Sequence, residues 1–159
     1  LPYLVQAGLI ADPVNTDTRA FVTRLVAALG DRLKLFSDII GYDEYFVADE
    51  KLAYDEKAFD KRIRNAPNAL ELLKAYAFYL ATAFPGPAPE FAEPPESVAM
   101  VELAMTLDTK YETFDAASLD KHMHAFVENR GIGIGDIIHA VRVAVTGKPA
   151  GPGMFECLE

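Results

Sequence analysis

Arg142 has the most demanding setting of any ionisable residue in the chain. It lies in Ala140-Val141-Arg142-Val143-Ala144-Val145-Thr146-Gly147-Lys148-Pro149, a mostly apolar stretch. A guanidinium there costs free energy unless it is paired or sits at an edge. Two readings stand. One is an internal ion pair, with Asp136 or Glu128 as partner. The other is a ligand-facing fork that suits a base edge or a phosphate. A second group is basic: Lys57, Lys61, Arg62 and Arg64 fall within eight residues. On a regular helix Lys57, Lys61 and Arg64 share one face. That face suits a phosphate backbone, or it is a solvated face balanced by Asp55, Glu56 and Asp60.

Other chemistry is weaker. Gly131-Ile132-Gly133-Ile134-Gly135 precedes a helical pattern, as phosphate-cradling loops do. It lacks the preceding strand and the G-x-x-G spacing of a dinucleotide fingerprint, so a turn and cap are expected. Thr146-Gly147-Lys148 lacks the upstream glycine and following hydroxyl of a P-loop. His122 and His124 diverge on a helix and cannot share a metal. No Ser stands in G-x-S-x-G, and no local nucleophile–base pair is visible. No metal or catalytic site is expected within these residues.

The elements that must position Arg142 are helical. Phe21, Val22, Leu25, Val26 and Leu29 repeat at helical spacing, with Asn15 to Asp17 as caps and Gly30 as stop. Leu33, Phe36, Ile39 and Ile40 read as a second apolar face ending at Gly41. Residues 42–53 read as a connection with Tyr45 and Phe46 turned inward. Asp55 is placed to cap a short helix to Arg64, and Asn65-Ala66-Pro67 to open a long one. That long helix runs to about Phe84, lined by Leu70, Leu73, Ala77 and Leu80 and widened by Leu72, Tyr76 and Tyr79. Five prolines and Gly86 in residues 85–95 exclude a regular helix and mark a linker. A helix resumes at Val98, Val101 and Met105. Others are expected over about 115–129, with Leu119, Met123, Phe126 and Val127 inside, and 135–146, with Ile137, Ile138, Val141 and Val145 inside. The fold class is therefore all-α, a multi-helical bundle of two subdomains, 1–84 and 97–159, joined by a Pro-rich linker at 85–96.

The chain has 159 residues, 51% of them apolar, enough for a sizeable core. No apolar run is long enough to span a membrane. The start has no signal-peptide pattern and reads as a cut from a longer protein. The single cysteine, Cys157, fits a reducing, cytoplasmic compartment. The net charge of -9 opposes general attraction to polyanions such as DNA. Residues 1–80 carry 10 basic and 12 acidic groups, and residues 81–159 carry 5 and 12, so the excess acid sits mostly in the second half.

Residues 141–149 together with Gly151-Pro152-Gly153-Met154-Phe155-Glu156 resemble the carboxy-terminal region of bacterial-type glutamyl-tRNA synthetase, which reads P-L-R-x-A-x-T-G and then a P-G-[LI]-F-E-like turn. The glycine segment 131–135 is similar to that family's segment before the same Arg. Leu1-Pro2-Tyr3-Leu4 with Ala7-Gly8-Leu9 resembles its segment after the catalytic body. Arg32-Leu33-Lys34 with Phe36 and Asp38, and then Tyr45-Phe46, resemble its R-x-K-T-L-x-D … F-F segment. Asp55-Glu56-Lys57 has a counterpart too.

The resemblance implies an anticodon-binding region of the class I synthetase type, whose second subdomain recognises the anticodon of tRNA-Glu. It places Arg142 at an anticodon base, with Thr146, Lys148 and Gly151 in the loop beside it. Lys57, Lys61 and Arg64 would touch backbone. ATP and Mg2+ would belong to the parent ligase, and this stretch needs neither. Its partners would be tRNA-Glu and the parent's catalytic domain, with no membrane. Departures exist. The family's Pro-Leu before the Arg is Ala140-Val141, residues 85–96 are longer and more acidic, and the last G-K-x-x-x-L-x-R-L helix has no counterpart. Nor have the H-I-G-H-like and K-M-S-K-S-like motifs that handle ATP, so this stretch is not expected to activate glutamate. Two rival functions remain: an acidic protein-interaction module, and a synthetase paralogue that does not charge tRNA-Glu.

Overall fold

The computed structural model describes residues 1–84 and 113–158. The expected Pro-rich linker at 85–96 and the helix from Val98 to Met105 lie outside the described residues. What is described is all-α, with no strand among the described residues.

Helices form where caps and apolar spacing coincide. α1 is Pro2–Gln6 and α2 is Thr16–Leu29. Asn15 caps α2 by accepting the Thr18 N–H at 2.7 Å, and Gly30 ends it at positive φ. The apolar set at 33–40 does not make an α face. It forms 3-10 turns over Phe36–Tyr45, broken by a kink at Tyr42 (φ -109°, ψ 42°), immediately after the expected stop at Gly41. Asp38 binds the N–H groups of Lys34 and Leu35 at 2.8 Å each and so tightens the entry. Only Ile39 is buried there, and Phe36 is 88% exposed.

α3, Glu56–Phe59, is capped by Asp55 as expected and then loosens into a π turn, Asp60–Arg64. The Asn65 N–H bonds the Asp60 carbonyl five residues back at 2.8 Å. α4, Ala69–Ala83, starts later than the Asn65-Ala66-Pro67 cap would place it; Asn68 stands at its N-cap position in the left-handed region, without a side-chain capping bond. Its buried face is Ala69, Ala75, Tyr76, Tyr79 and Ala83, whereas Leu70 is exposed. The large tyrosine rings win the core, turning the helix away from the Leu70–Ala77 line. α5 is Ala116–Arg130, capped by Asp115 and stopped by Gly131 at φ 64°. α6 is Ile138–Thr146, preceded by a 3-10 turn, Ile134–Asp136, and α7 is Met154–Leu158. Val145, expected inside, is exposed on α6.

Three buried clusters organise these elements, the smallest being Ala83 and Phe84 with Leu119 of α5. Leu4, Val22 and Ile39 pack with Leu9, Phe21 and Phe46. Tyr76 and Tyr79 of α4 pack with Met123 and Phe126 of α5, Ile137, Val141 of α6 and Met154 of α7. Tyr76 and Tyr79 each meet the Phe126 ring, at 5.2 and 5.7 Å between centroids. The clusters part between Phe46 and Ala69, so α4 shares its core with the later helices.

Gly147 welds α6 to the segment before α3. Its φ is 70°, and a Cβ there would overlap the Ala53 carbonyl oxygen. Its own carbonyl accepts the Asp55 N–H at 2.8 Å. Both strain and overlap oppose any side chain. Gly147→Ala should cost about 2–4 kcal/mol in urea unfolding, from the left-handed backbone and the forced separation together.

Candidate nucleic-acid interface

Arg142 is half-buried on α6, and no carboxylate pairs with it among the described residues. The expected ion pair with Asp136 or Glu128 is not formed. Asp136 instead accepts the Gly133 N–H at 2.9 Å and closes the glycine turn, as a turn-and-cap reading requires. Arg142 Nη1 donates to the Pro152 carbonyl at 2.8 Å and lies 3.8 Å from Cys157 Sγ. Its Nε and Nη2 have no protein partner among the described residues.

The wall beside it is built from distant segments. Tyr45 Oη and Cys157 Sγ are 3.0 Å apart. Burial pushes the Tyr45 hydroxyl well above its ordinary value, and the Cys157 contact adds to this. Burial also raises the Cys157 thiol, partly opposed by its hydrogen bond with Tyr45 and by the Arg142 charge. Both groups therefore stay neutral at pH 7 and place no anion beside the guanidinium. A Cβ on Gly151 would stand 3.4 Å from Arg142 Nη1 and 3.7 Å from Tyr45 Oη. Both are ordinary contact distances, so the fork's place does not depend on a glycine here.

The loop after α6 is tied inward. The Thr146 hydroxyl is buried and donates to the Arg142 carbonyl at 2.9 Å. Lys148 Nζ donates to the Gly41 carbonyl at 2.9 Å, to Asp43 at 3.1 Å and to Glu44 at 2.5 Å. Partial burial pulls the Lys148 ammonium down, but the bonds and charges of Glu44 and Asp43 outweigh it and leave it above 10.5. Lys148 thus fastens the loop and is not an open cation.

The basic group at 57–64 is rearranged by the π turn. The extra residue per turn takes Lys57, Lys61 and Arg64 off a single face. Arg64 bonds Asp60 at 2.5 Å and lies over the Phe59 ring. Lys57 and Lys61 are exposed, and neither they nor Arg62 form an ion pair among the described residues. Lys61 and Arg62 line a cavity of about 490 Å³ with Arg130 and His139. Partial burial, then the charges of Arg62, Arg142 and Lys61, hold the His139 imidazole below its ordinary 6.5. His139 stands three residues before Arg142 on α6, a spacing that the sequence displays plainly.

His122 is buried, with Nδ1 2.9 Å from Tyr79 Oη, whereas exposed His124 bonds the Asp120 carbonyl. No cluster of three metal-ligating side chains occurs among the described residues. No helix among them is long and apolar enough to cross a membrane.

The scaffold is helical and presents one anchored arginine from α6, beside a cavity lined by further basic groups. A family model described as an anticodon binding domain matches residues 1–85 and 87–159, so the chain belongs to that family. The chain is 28% identical over all its residues to a glutamate–tRNA ligase of Moorella thermoacetica. It is 29% identical over 99% of its length to one of Herpetosiphon aurantiacus, and 32% identical over 71% to glutamate–tRNA ligase 2 of Campylobacter curvus. The chain spans about a quarter of the first two and 18% of the third.

Lys148→Met should cost about 1–3 kcal/mol, because it strands the Glu44 carboxylate, whose side chain is only 3% exposed. Chemical denaturation should show partial recovery when Glu44→Gln is added. Arg62→Gln should raise the His139 pKa towards 6.5, since a positive charge that opposes the imidazolium is gone. An NMR pH titration of the histidine ring reads this directly.

Proposed function

We propose that this chain is the anticodon-binding part of a glutamate–tRNA ligase and that Arg142 reads an anticodon base of tRNA-Glu. One observation carries the reading: Arg142 is anchored by Nη1 alone, on the Pro152 carbonyl, while Nε and Nη2 are left for a ligand. A guanidinium held at one corner has lost its rotational freedom but keeps a donor edge. Unstacked anticodon bases expose their hydrogen-bonding edges to such a donor. Thr146 and Lys148 tie the loop that holds the fork at its angle, and Gly151 lies within it. Lys57 and Lys61 are the cations available to the RNA backbone, and Arg64 adds a partly neutralised one.

The parent would use ATP and magnesium in its catalytic body and would work in the cytoplasm. The chain's own contribution would be tRNA selection. Its identity to glutamate–tRNA ligases, running along nearly the whole sequence, supports this over an acidic protein-interaction module.

The test is a filter-binding titration of tRNA-Glu against an anticodon-substituted variant. Arg142→Ala should reduce the preference for the natural anticodon by about 1–3 kcal/mol. Arg142→Lys should retain the charge yet lose most of that preference, since an ammonium lacks the fork. Equal affinity for both RNAs, unchanged by either substitution, would sink the base-reading role.

A further inference from the structure

We infer that Tyr45 is a positioning residue for base selection: its hydroxyl fixes Cys157, and Cys157 together with the Pro152 carbonyl fixes the plane of the Arg142 fork without placing a carboxylate against it. This rests on the tRNA reading above and names a second residue that sets its specificity.

Four groups form one connected set. Tyr45 Oη and Cys157 Sγ are 3.0 Å apart. Sγ lies 3.8 Å from Arg142 Nη1 and 3.9 Å from the Pro152 carbonyl oxygen. Nη1 donates to that same carbonyl at 2.8 Å. One assignment of protons satisfies the whole set. The Tyr45 O–H donates to Sγ, the thiol S–H points to the Pro152 carbonyl, and Nη1 donates to both oxygen and sulfur. The carbonyl alone would leave the planar guanidinium able to pivot about one bond. A second acceptor on the same nitrogen defines its plane and so aims Nε and Nη2.

The sulfur depends on the Tyr45 bond because packing does not hold it on every side. Cys157 sits on the five-residue α7, partly buried against the apolar cluster around Phe126. Tyr45 and Cys157 also line a cavity of about 450 Å³, and Arg142 does not. A thiol released by Tyr45 has room to turn into that space. Tyr45 itself is fixed from both neighbours. Lys148 holds Glu44, and the Phe46 ring meets Phe21 edge-on, with centroids 5.8 Å apart.

The chemistry of this wall matters as much as its shape. A carboxylate in the same place would hold the fork but also pair with it. A phenol and a thiol that burial keeps protonated hold it and bring no anion.

The experiment titrates the chain with an RNA hairpin bearing the tRNA-Glu anticodon loop, and with the same hairpin carrying one substituted anticodon base. Tyr45→Phe removes only the hydroxyl. It should lower the affinity ratio of the two hairpins by about two- to tenfold, the factor of one net hydrogen bond, and leave affinity for the substituted hairpin unchanged. Cys157→Ala should do the same, and the double variant should lose no more than the larger single effect, since both act through one path. In an Arg142→Lys background Tyr45→Phe should have no effect on the ratio. A second readout needs no RNA: ¹⁵N relaxation of the Arg142 Nε–H should show a lower order parameter in Tyr45→Phe, while circular dichroism shows an unchanged fold. An unmoved ratio in Tyr45→Phe, where Arg142→Ala abolishes the preference, overturns the inference and spares the Arg142 reading. Equal weakening of both hairpins also overturns it, because Tyr45 would then only support the fold. A ratio that Arg142→Ala leaves unchanged, or a chain that binds neither hairpin at low salt, refutes the tRNA reading and this inference together.

Discussion

The Glu44 carboxylate is almost sealed from water, and an anion in that position must be met by a cation. Lys148 meets it from a loop more than a hundred residues later in the chain. The same ammonium takes up the Gly41 carbonyl and Asp43. Glu44 Oε1 still has no hydrogen-bond partner among the described residues, so this pair is tight but not complete. A pair of this kind adds little net stability over an apolar contact of the same shape. What it contributes is position. The loop that follows α6 has one place to go, and the Arg142 platform is set by it.

Three further ties run in parallel. Gly147 packs on the Ala53 backbone, Tyr54 donates to the Ala144 carbonyl at 3.0 Å, and Tyr45 meets Cys157. Each joins residues 45–55 to residues 144–157. The Leu4–Val22–Ile39 cluster and the cluster around Tyr76 and Phe126 are therefore tied by polar and backbone contacts as well as by apolar packing within each. A local charge at Arg142 is compatible with a chain of net charge -9 because this frame neutralises Lys148 internally and leaves the guanidinium edge with no paired carboxylate among the described residues.

Much of this was legible in the sequence, for reasons of range. Helix ends with a short-range mechanism were readable: Asn15, Asp55 and Asp115 cap, and Gly30, Gly131 and Gly147 stop. The core of α5 was readable because Leu119, Met123, Phe126 and Val127 obey one period. The face of α4 was not, because apolar residues surround that helix and only its neighbours decide which ones are covered. Residues 33–46 lack a signal for 3-10 over α geometry. Arg142 stood out by type and setting, yet its contacts Pro152 and Cys157, and the Tyr45 hydroxyl against Cys157, come from two segments that no local spacing connects. The basic cavity escaped notice for the same cause, since Arg130 and His139 join Lys61 and Arg62 only once α5 and α6 are folded beside the π turn.

That turn can be viewed as a spare residue stored in a helix. The bond from Asn65 to Asp60 spans five residues where an α-helix spans four. Deleting one residue between 60 and 64 would let the helix close at normal pitch. Lys57 would then turn by about 100° about the helix axis relative to the residues that follow the deletion. The angular position of Lys57 relative to the residues that follow the turn is thus encoded in length as much as in residue type. Relatives that lack the extra residue would need a different set of basic positions to present the same surface.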